Sequence, residues 1–352
     1  MPVQRSEHNP ILRPQDVKPS RPDFEVTCVL NAAVTRLGDE IILLLRVAER
    51  PIVDDPQISR VPIFDPAKGE LVLREFSHAD PHYNFSDPRG ISGPEGHYLT
   101  TLSYLRLARS KDGIHFTVED QPALFPATEY ETFGIEDPRI TKIDDTYYID
   151  YVAVSPNGIV TALASTQDFV TYERLGIIFA PDNKDCMLFP EKINGKYYAL
   201  HRPCISGLGK PQIWLAESPD LLNWGQHRMI AGLRLNGWED LRIGGSAPPF
   251  RVSQGWLEIY HGAGPGNRYC LGALLLDAEQ PWKVLARSAQ PFMQPEAKYE
   301  LKGFFGNVVF TCGTLFEDGI VKIYYGAADE YMAYAEVPLQ EILDGLEAVE
   351  NR

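Results

Sequence analysis

The sequence predicts an all-β protein, a five-bladed β-propeller whose N-terminal strand closes the last blade and whose chain ends in a short helix. Three observations predict it. Five times a polar turn hands over to an aliphatic or aromatic run: LGDEIILLLRV from Leu37, IDDTYYIDYVAV from Ile143, INGKYYALHRP from Ile193, SQGWLEIYHGA from Ser253 and EDGIVKIYYGAA from Glu317. Gly, Asn and Asp tolerate the positive φ of tight hairpin turns, so each copy reads as a hairpin and five copies imply five sheets. In step with these, LARSKDGIHF (Ser110), LASTQDFVTY (Ser165) and LAESPDLLNW (Ser218) end strands in Ser followed by Asp and a bulky residue, at spacings of 55 and 53 residues. LLLDAEQPWKV after Leu274 and YAEVPLQEIL after Tyr334 look like degenerate copies, and a period of about 50–60 residues with four short strands is that of a propeller blade. Finally, QPALFP (Gln121 to Pro126) and QPFMQP (Gln290 to Pro295) end two blades, and NPILRP (Asn9 to Pro14) resembles both from the wrong end of the chain. That segment is expected to supply the outer strand of the last blade, removing an open edge.

The rest of the chain sets limits. No Pro/Gly/Ser-rich linker divides it, so residues 1–352 read as one domain. PLQEILDGLEAVE from Pro338 has helical spacing, with Leu339, Ile342, Leu343 and Leu346 on one face, and is expected to dock on the last blade. The longest apolar runs are strand-length and the N-terminus is polar, which argues against a signal peptide or a membrane span. Five scattered cysteines (Cys28, Cys186, Cys204, Cys270, Cys312) lack metal-ligand spacing and suit reduced thiols in the cytoplasm. Asp and Glu outnumber Lys and Arg by 48 to 33, a net charge of −15 that disfavours nucleic acid and anionic membranes as partners. A homo-oligomer remains open. In so acidic a chain, basic residues gathered at one place carry information.

The innermost strand of each blade lines the channel, so chemistry is expected at its entry. The five entries are DFEVTCVLNAAV from Asp23, GIEDPRIT from Gly134, NKDCMLFPEKI from Asn183, WEDLRIGGSAPP from Trp238 and KGFFGNVVF from Lys302. In GIEDPRIT, Glu136, Asp137 and Arg139 interrupt a channel-lining strand and Pro138 removes a ladder donor. An Asx-turn or an internal salt bridge explains this as well as a catalytic carboxylate does. The catalytic reading needs a partly desolvated site that raises the carboxyl pKa.

Lys184, Arg202, Arg242 and His261 fall at equivalent places in other blades. Singly each is ordinarily a surface or ion-pair residue, whereas together at one channel mouth they form an anion site. Gly244 and Gly245 beside Arg242 permit close backbone approach. Tyr83, Phe85, Tyr104, Trp238, Phe304, Phe305 and Tyr331 fall in loops or strand ends; aromatics with carboxylates and amides such as Asn31, Asn307 and Asp329 suit a sugar better than an apolar ligand. The long insertion at residues 51–100 reads as a lid or substrate wall.

GIEDPRIT, NKDCMLFPEKINGKYYALHRP, IWLAESPDLLNWG, GSAPP with IYHG, and GNVVF…YYGAAD resemble glycoside hydrolase family 130, the inverting β-mannoside phosphorylases and their relatives, from Asn9 to about Val337. The resemblance implies a five-bladed propeller forming a single catalytic domain, with Asp137 as general acid. It implies phosphate contacts from Lys184, Arg202, Arg242 and His261, and contacts to the non-reducing mannose from Asn31 and Asp329. Arg46, Glu136, Arg139, Asp185 and Asn307 complete the expected substrate-binding set. The expected partners are a mannoside disaccharide or oligosaccharide and inorganic phosphate as co-substrate, with no metal and no organic cofactor. Some relatives are inverting β-mannosidases that lack the basic cluster; Glu239 and Asp240 beside Arg242 keep that alternative open, because an inverting hydrolase needs a second carboxylate as base. HNPILRPQDVKPSRPDFEV and LTTLSYLRLARSKDG look more like the branch acting on β-1,2-mannosides than like the β-1,4 branches.

Overall fold

Each of the five turns read from the sequence joins the first two strands of a blade. Gly38, Asp144, Asn194, Gly195, Asp318 and Gly319 all take positive φ there. In this computed structural model, which describes residues 3–204 and 209–349, those hairpins grow into five antiparallel sheets. The inner strands are Phe24–Leu37, Ile135–Ile143, Asn183–Leu188, Arg242–Val252 and Val309–Glu317, opening blades I to V in order.

Packing closes the ring. Five large apolar clusters each join two consecutive blades: Leu44 and Leu107 meet Ile135 and Ile149 between I and II, and Val29 and Leu43 meet Tyr324 and Tyr334 between V and I. The others lie between II and III, III and IV, and IV and V. Every sheet thus buries both faces, which is why these strands read as near-continuous apolar runs rather than alternating ones.

The predicted closure is correct in place and shifted in residue. Blade V is completed by Gln4–Arg5, which pair with Glu336 and Ala335, and not by Asn9 to Pro14 as an outer strand. Residues 9–14 run on along the same edge: Asn9 brackets Tyr334 by accepting from its N–H (2.8 Å) and donating to its C=O (2.9 Å), and Leu12 bridges Met332. The likeness of NPILRP to the two QP segments has a structural cause, because Leu12, Leu124 and Met293 each oppose a third strand, at Met332, Leu105 and Leu271. QPFMQP therefore does not form the fourth strand of blade IV, which is Val284–Ser288.

The Ser/Thr-x-Asp turns also recur. Ser110 with Asp112 and Ser218 with Asp220 cap the following backbone N–H groups; in blade II the equivalent hydroxyl is that of Thr166 with Asp168, one residue past Ser165. The C-terminal helix is shorter than its apolar spacing suggests, Leu339–Asp344, and Leu346–Ala348 becomes a fifth strand on blade IV. All four of its apolar residues still pack into the IV–V cluster, because an apolar stripe specifies which side is buried before it specifies helix or strand. The insertion of blade I is not an irregular loop but two hairpins, Ile58–Asp65 with Glu70–Ser77 and Gly90–Gly93 with Gly96–Leu99.

Candidate active site

A β-bulge interrupts the inner strand of every blade, between Leu30 and Ala33, Glu136 and Arg139, Lys184 and Met187, Gly245 and Ala247, and Thr311 and Gly313. A bulge leaves one strand with an extra residue and re-aims its side chain. In blades I to III the displaced residues include Asn31, Asp137 and Asp185, at φ of 47°, 46° and 52°. Asn and Asp are the non-glycine residues that best tolerate this left-handed region, so conformation and chemistry select the same residue types. Pro138 fits because a bulged position has no ladder bond to lose.

The re-aimed side chains meet in a cavity of about 330 Å³ at the ring axis. Asp137 Oδ1 accepts from Asn31 Nδ2 at 2.8 Å and Arg46 Nη1 at 3.0 Å. Arg46 is fixed in turn by Glu136 at 2.7 Å and Ser103 at 3.0 Å. Asp137 Oδ2 has no hydrogen-bond partner among the described residues. Gly326 lets Asn31 in, since a Cβ there would collide with the amide oxygen.

Burial would raise the Asp137 carboxyl, but Arg46, Lys184 and Arg139 outweigh it and hold the group well below the usual carboxylate range. The expectation of a raised pKa is thus contradicted for the ligand-free protein. Asp329, beside it at φ 49°, behaves oppositely: burial and the neighbouring Asp137 charge push it up to about 6 against Arg46, Arg89 and Lys184.

The basic residues converge as expected. Lys184 and Arg202 are cross-strand partners in blade III, and both line the cavity with Arg242 and His261. Lys184 keeps its charge, because Asp137 and Asp185 more than offset its burial. It has no hydrogen-bond or ion-pair partner within contact distance among the described residues. Arg242 donates to the Tyr269 hydroxyl at 2.9 Å. His261 is a neutral ring, lowered to about 3 by burial, with Nδ1 3.2 Å from Ser246 Oγ. It is expected to contribute hydrogen bonding rather than charge.

Three of the expected substrate contacts differ in their placement. Asp185 lines the cavity although it is only 1% exposed, and it lies 3.1 Å from Arg202 and 3.6 Å from Arg139, so it also orders the basic side chains. Gly244 makes room for it, as a Cβ there would strike its carboxylate. Arg139 is fully buried and grips the carbonyls of Asp137, Gly245 and Ser246 at 3.0, 3.3 and 3.0 Å, tying blade II to blade IV. Asn307 is exposed and does not line the cavity; its carbonyl receives the Tyr269 N–H at 3.0 Å.

Neither candidate hydrolytic base lines the cavity. Glu239 is buried against Tyr260 (2.6 Å) and Arg287 (2.7 Å) within blade IV, with Asp240 next to it. Of the aromatics, Phe304 and Phe305 line the site, whereas Trp238 packs under Gly262 and Gly272, and Tyr104 is core. Sequence reasoning missed Asp87, Arg89 and His97, which the insertion contributes, and Tyr269. Arg89 stacks on Phe305 at 4.5 Å and is clamped by Asp87 at 2.9 Å. The length of the insertion is the one signal that pointed there.

Residues 97–348 match the family described as β-1,4-mannooligosaccharide phosphorylase. The chain is 48% identical over 351 residues, 99% of both chains, to a β-1,2-mannobiose phosphorylase of Listeria innocua. It is 42% identical over 253 residues to a 1,2-β-oligomannan phosphorylase of a Thermoanaerobacter species, covering 71% of this chain and 83% of that one. The solved structure of the Listeria innocua enzyme in complex with β-1,2-mannobiose superposes with a TM-score of 0.96, over 98% of this chain and 99% of that one.

Proposed function

The chain belongs to glycoside hydrolase family 130, and from that premise we propose that it is an inverting β-mannoside phosphorylase acting on β-1,2-mannobiose or a short β-1,2-oligomannan. The observation that carries this reading is the cluster of Lys184, Arg202 and Arg242 in the same cavity as Asp137, with Glu239 and Asp240 outside it. Cations in a cavity of this polarity suit a phosphate, whose oxygens match the guanidinium forks. A phosphorylase needs no base, since its nucleophile is already an anion.

Phosphate oxygen forms its bond to the anomeric carbon from the face opposite the glycosidic oxygen as that bond breaks. The electron pair passes to the leaving oxygen, which receives a proton from Asp137, directly or through a sugar hydroxyl. The products are α-mannose 1-phosphate and the shortened acceptor. Asp329 as a carboxylate would stabilise the oxocarbenium character that develops on the ring. Asn31 and Arg46 orient Asp137, and Asp185 and Arg139 set the positions of the cations and bulges. Neither a metal nor an organic cofactor enters this scheme; phosphate is the co-substrate.

Initial rates on β-1,2- and β-1,4-mannobiose at saturating phosphate test the linkage. The expected result is a kcat/KM preference for the β-1,2 linkage of about tenfold or more, the size of a few misplaced hydroxyl contacts. Preference for the β-1,4 disaccharide would place the chain with the other branch.

A further inference from the structure

Outside the cavity, three blades carry the same clasp. In blade II the Tyr151 hydroxyl donates to Glu131 (2.9 Å), and Arg174 donates to both, at 2.7 Å to the carboxylate and 2.9 Å to the hydroxyl. Blade IV repeats it with Tyr260, Glu239 and Arg287, and blade V with Tyr325, Glu300 and Arg5; in each, hydroxyl and guanidinium meet on the carboxylate. Each time the Tyr lies on the second strand, the Arg on the fourth, and the Glu ahead of the inner strand. An ion pair thus ties the fourth strand of a blade to the chain entering the first. The tyrosines also keep register with the bulges. Tyr151 lies opposite Asp137 and Pro138, the displaced pair of blade II, and Tyr260 and Tyr325 flank the extra residues Ser246 and Cys312. A bulged residue is left unpaired, so what stiffens the strand opposite also fixes the displaced side chain.

Blade III departs from this pattern. The tyrosine's place is taken by His201, opposite the displaced Asp185 and Cys186, and the arginine's by His227 on the fourth strand. Asn183 Nδ2 donates to His201 Nδ1 at 2.9 Å, and His201 Nε2 faces His227 Nδ1 at 3.2 Å. His201 is 3% exposed and stacks on Phe179 of blade II; burial and the neighbouring His227 lower it to about 3, so it is a neutral ring. With Nδ1 accepting, its one proton is on Nε2 and is donated to His227. The chain runs beside the cations of the anion site, because Asn183 precedes Lys184 and His201 precedes Arg202, the cross-strand partner of Lys184.

We propose that Asn183, His201 and His227 are positioning residues for phosphate: they hold the bulged inner strand of blade III against its neighbour so that Lys184 and Arg202 present their charges to one anion, as the clasp of Glu131, Tyr151 and Arg174 holds Asp137. This rests on the phosphorylase reading given above. None of the six lines the cavity, so each acts through the residues it braces. The two clasps serve different steps, blade III setting phosphate affinity and blade II the placement of the acid.

Steady-state kinetics of H227A, H227N and Y151F, varied in phosphate and in β-1,2-mannobiose, separate the two. His227 is exposed and Tyr151→Phe deletes one oxygen, so all three variants should fold, which circular dichroism melting checks. H227A removes the acceptor of one neutral hydrogen bond and should raise the KM for phosphate about three- to tenfold while moving kcat less. H227N, whose amide oxygen can accept the same bond, should restore the phosphate KM. Calorimetric titration of phosphate should show the same weakening in H227A and the same recovery in H227N. Y151F is the contrast: it should lower kcat and leave the phosphate KM near its wild-type value. A folded H227A with wild-type phosphate KM, or H227A and Y151F losing kcat and phosphate affinity alike, would overturn the proposal. Should the wild type bind no phosphate and cleave mannobiose without it, the phosphorylase reading falls instead, and the positioning role with it.

Discussion

At the level of single residues, the proposed reaction puts the proton on Asp137, the anion on the basic cluster and the stabilising charge on Asp329. Asp137→Asn keeps shape and the Asn31 and Arg46 contacts available while removing the transferable proton. Steady-state rates on β-1,2-mannobiose should fall by about 10²-fold or more, with an unchanged melting curve. Arg242→Ala removes one charge-assisted contact, worth on the order of 1.5–3 kcal/mol, and should raise the apparent KM for phosphate roughly tenfold or more while moving the mannoside KM less. Asp329 titrates at about 6, so below that value it is neutral and cannot stabilise an oxocarbenium ion. Accordingly kcat/KM for the mannoside should drop as pH falls through about 6, and Asp329→Asn should be slow and lack that limb of the profile. The residue types at the axis were legible in the sequence because charges and amides in channel-lining strands are out of place. Their roles were less so. Arg139 is as charged as Asp137, and only the folded geometry shows that it grips backbone carbonyls rather than lining the cavity.

At the scale of elements, the N-terminal segment carries the ring closure. Gln4–Arg5 cover the edge of blade V, Arg5 bonds Glu300 at 2.7 Å, and Asn9 and Leu12 extend the cover along the same strand. Deleting residues 1–14 should expose that edge, lower the melting temperature and promote aggregation, as measured by calorimetry and light scattering. A deletion variant with unchanged melting and solubility would make the segment a tail. The blade strands were legible because turn chemistry and apolar runs are local signals. Residues 339–348 show where that legibility ends: their stripe identifies the buried side, but the partner that converts Leu346–Ala348 into a strand is Ala286–Ser288, some sixty residues away in sequence. The bulges were invisible for a similar reason, since an extra residue is defined only against the neighbouring strand. The insertion's hairpins lacked a repeat to be read against, and with them went Arg89 and His97.

At the scale of the whole molecule, five sheets that each lack a side are held by the apolar faces between blades, and the ring leaves a polar funnel where the five inner strands converge. A chain of net charge −15 thus concentrates Lys184, Arg202 and Arg242 at its axis, around a place for an anion. In the proposed reaction this anion is the nucleophile. Purified protein incubated with β-1,2-mannobiose, with and without inorganic phosphate, and followed by proton and phosphorus NMR, tests it most directly. The expected result is one α-mannose 1-phosphate and one free mannose per bond cleaved when phosphate is present, and negligible cleavage when it is absent. Release of free mannose from both rings at full rate in phosphate-free buffer would contradict it.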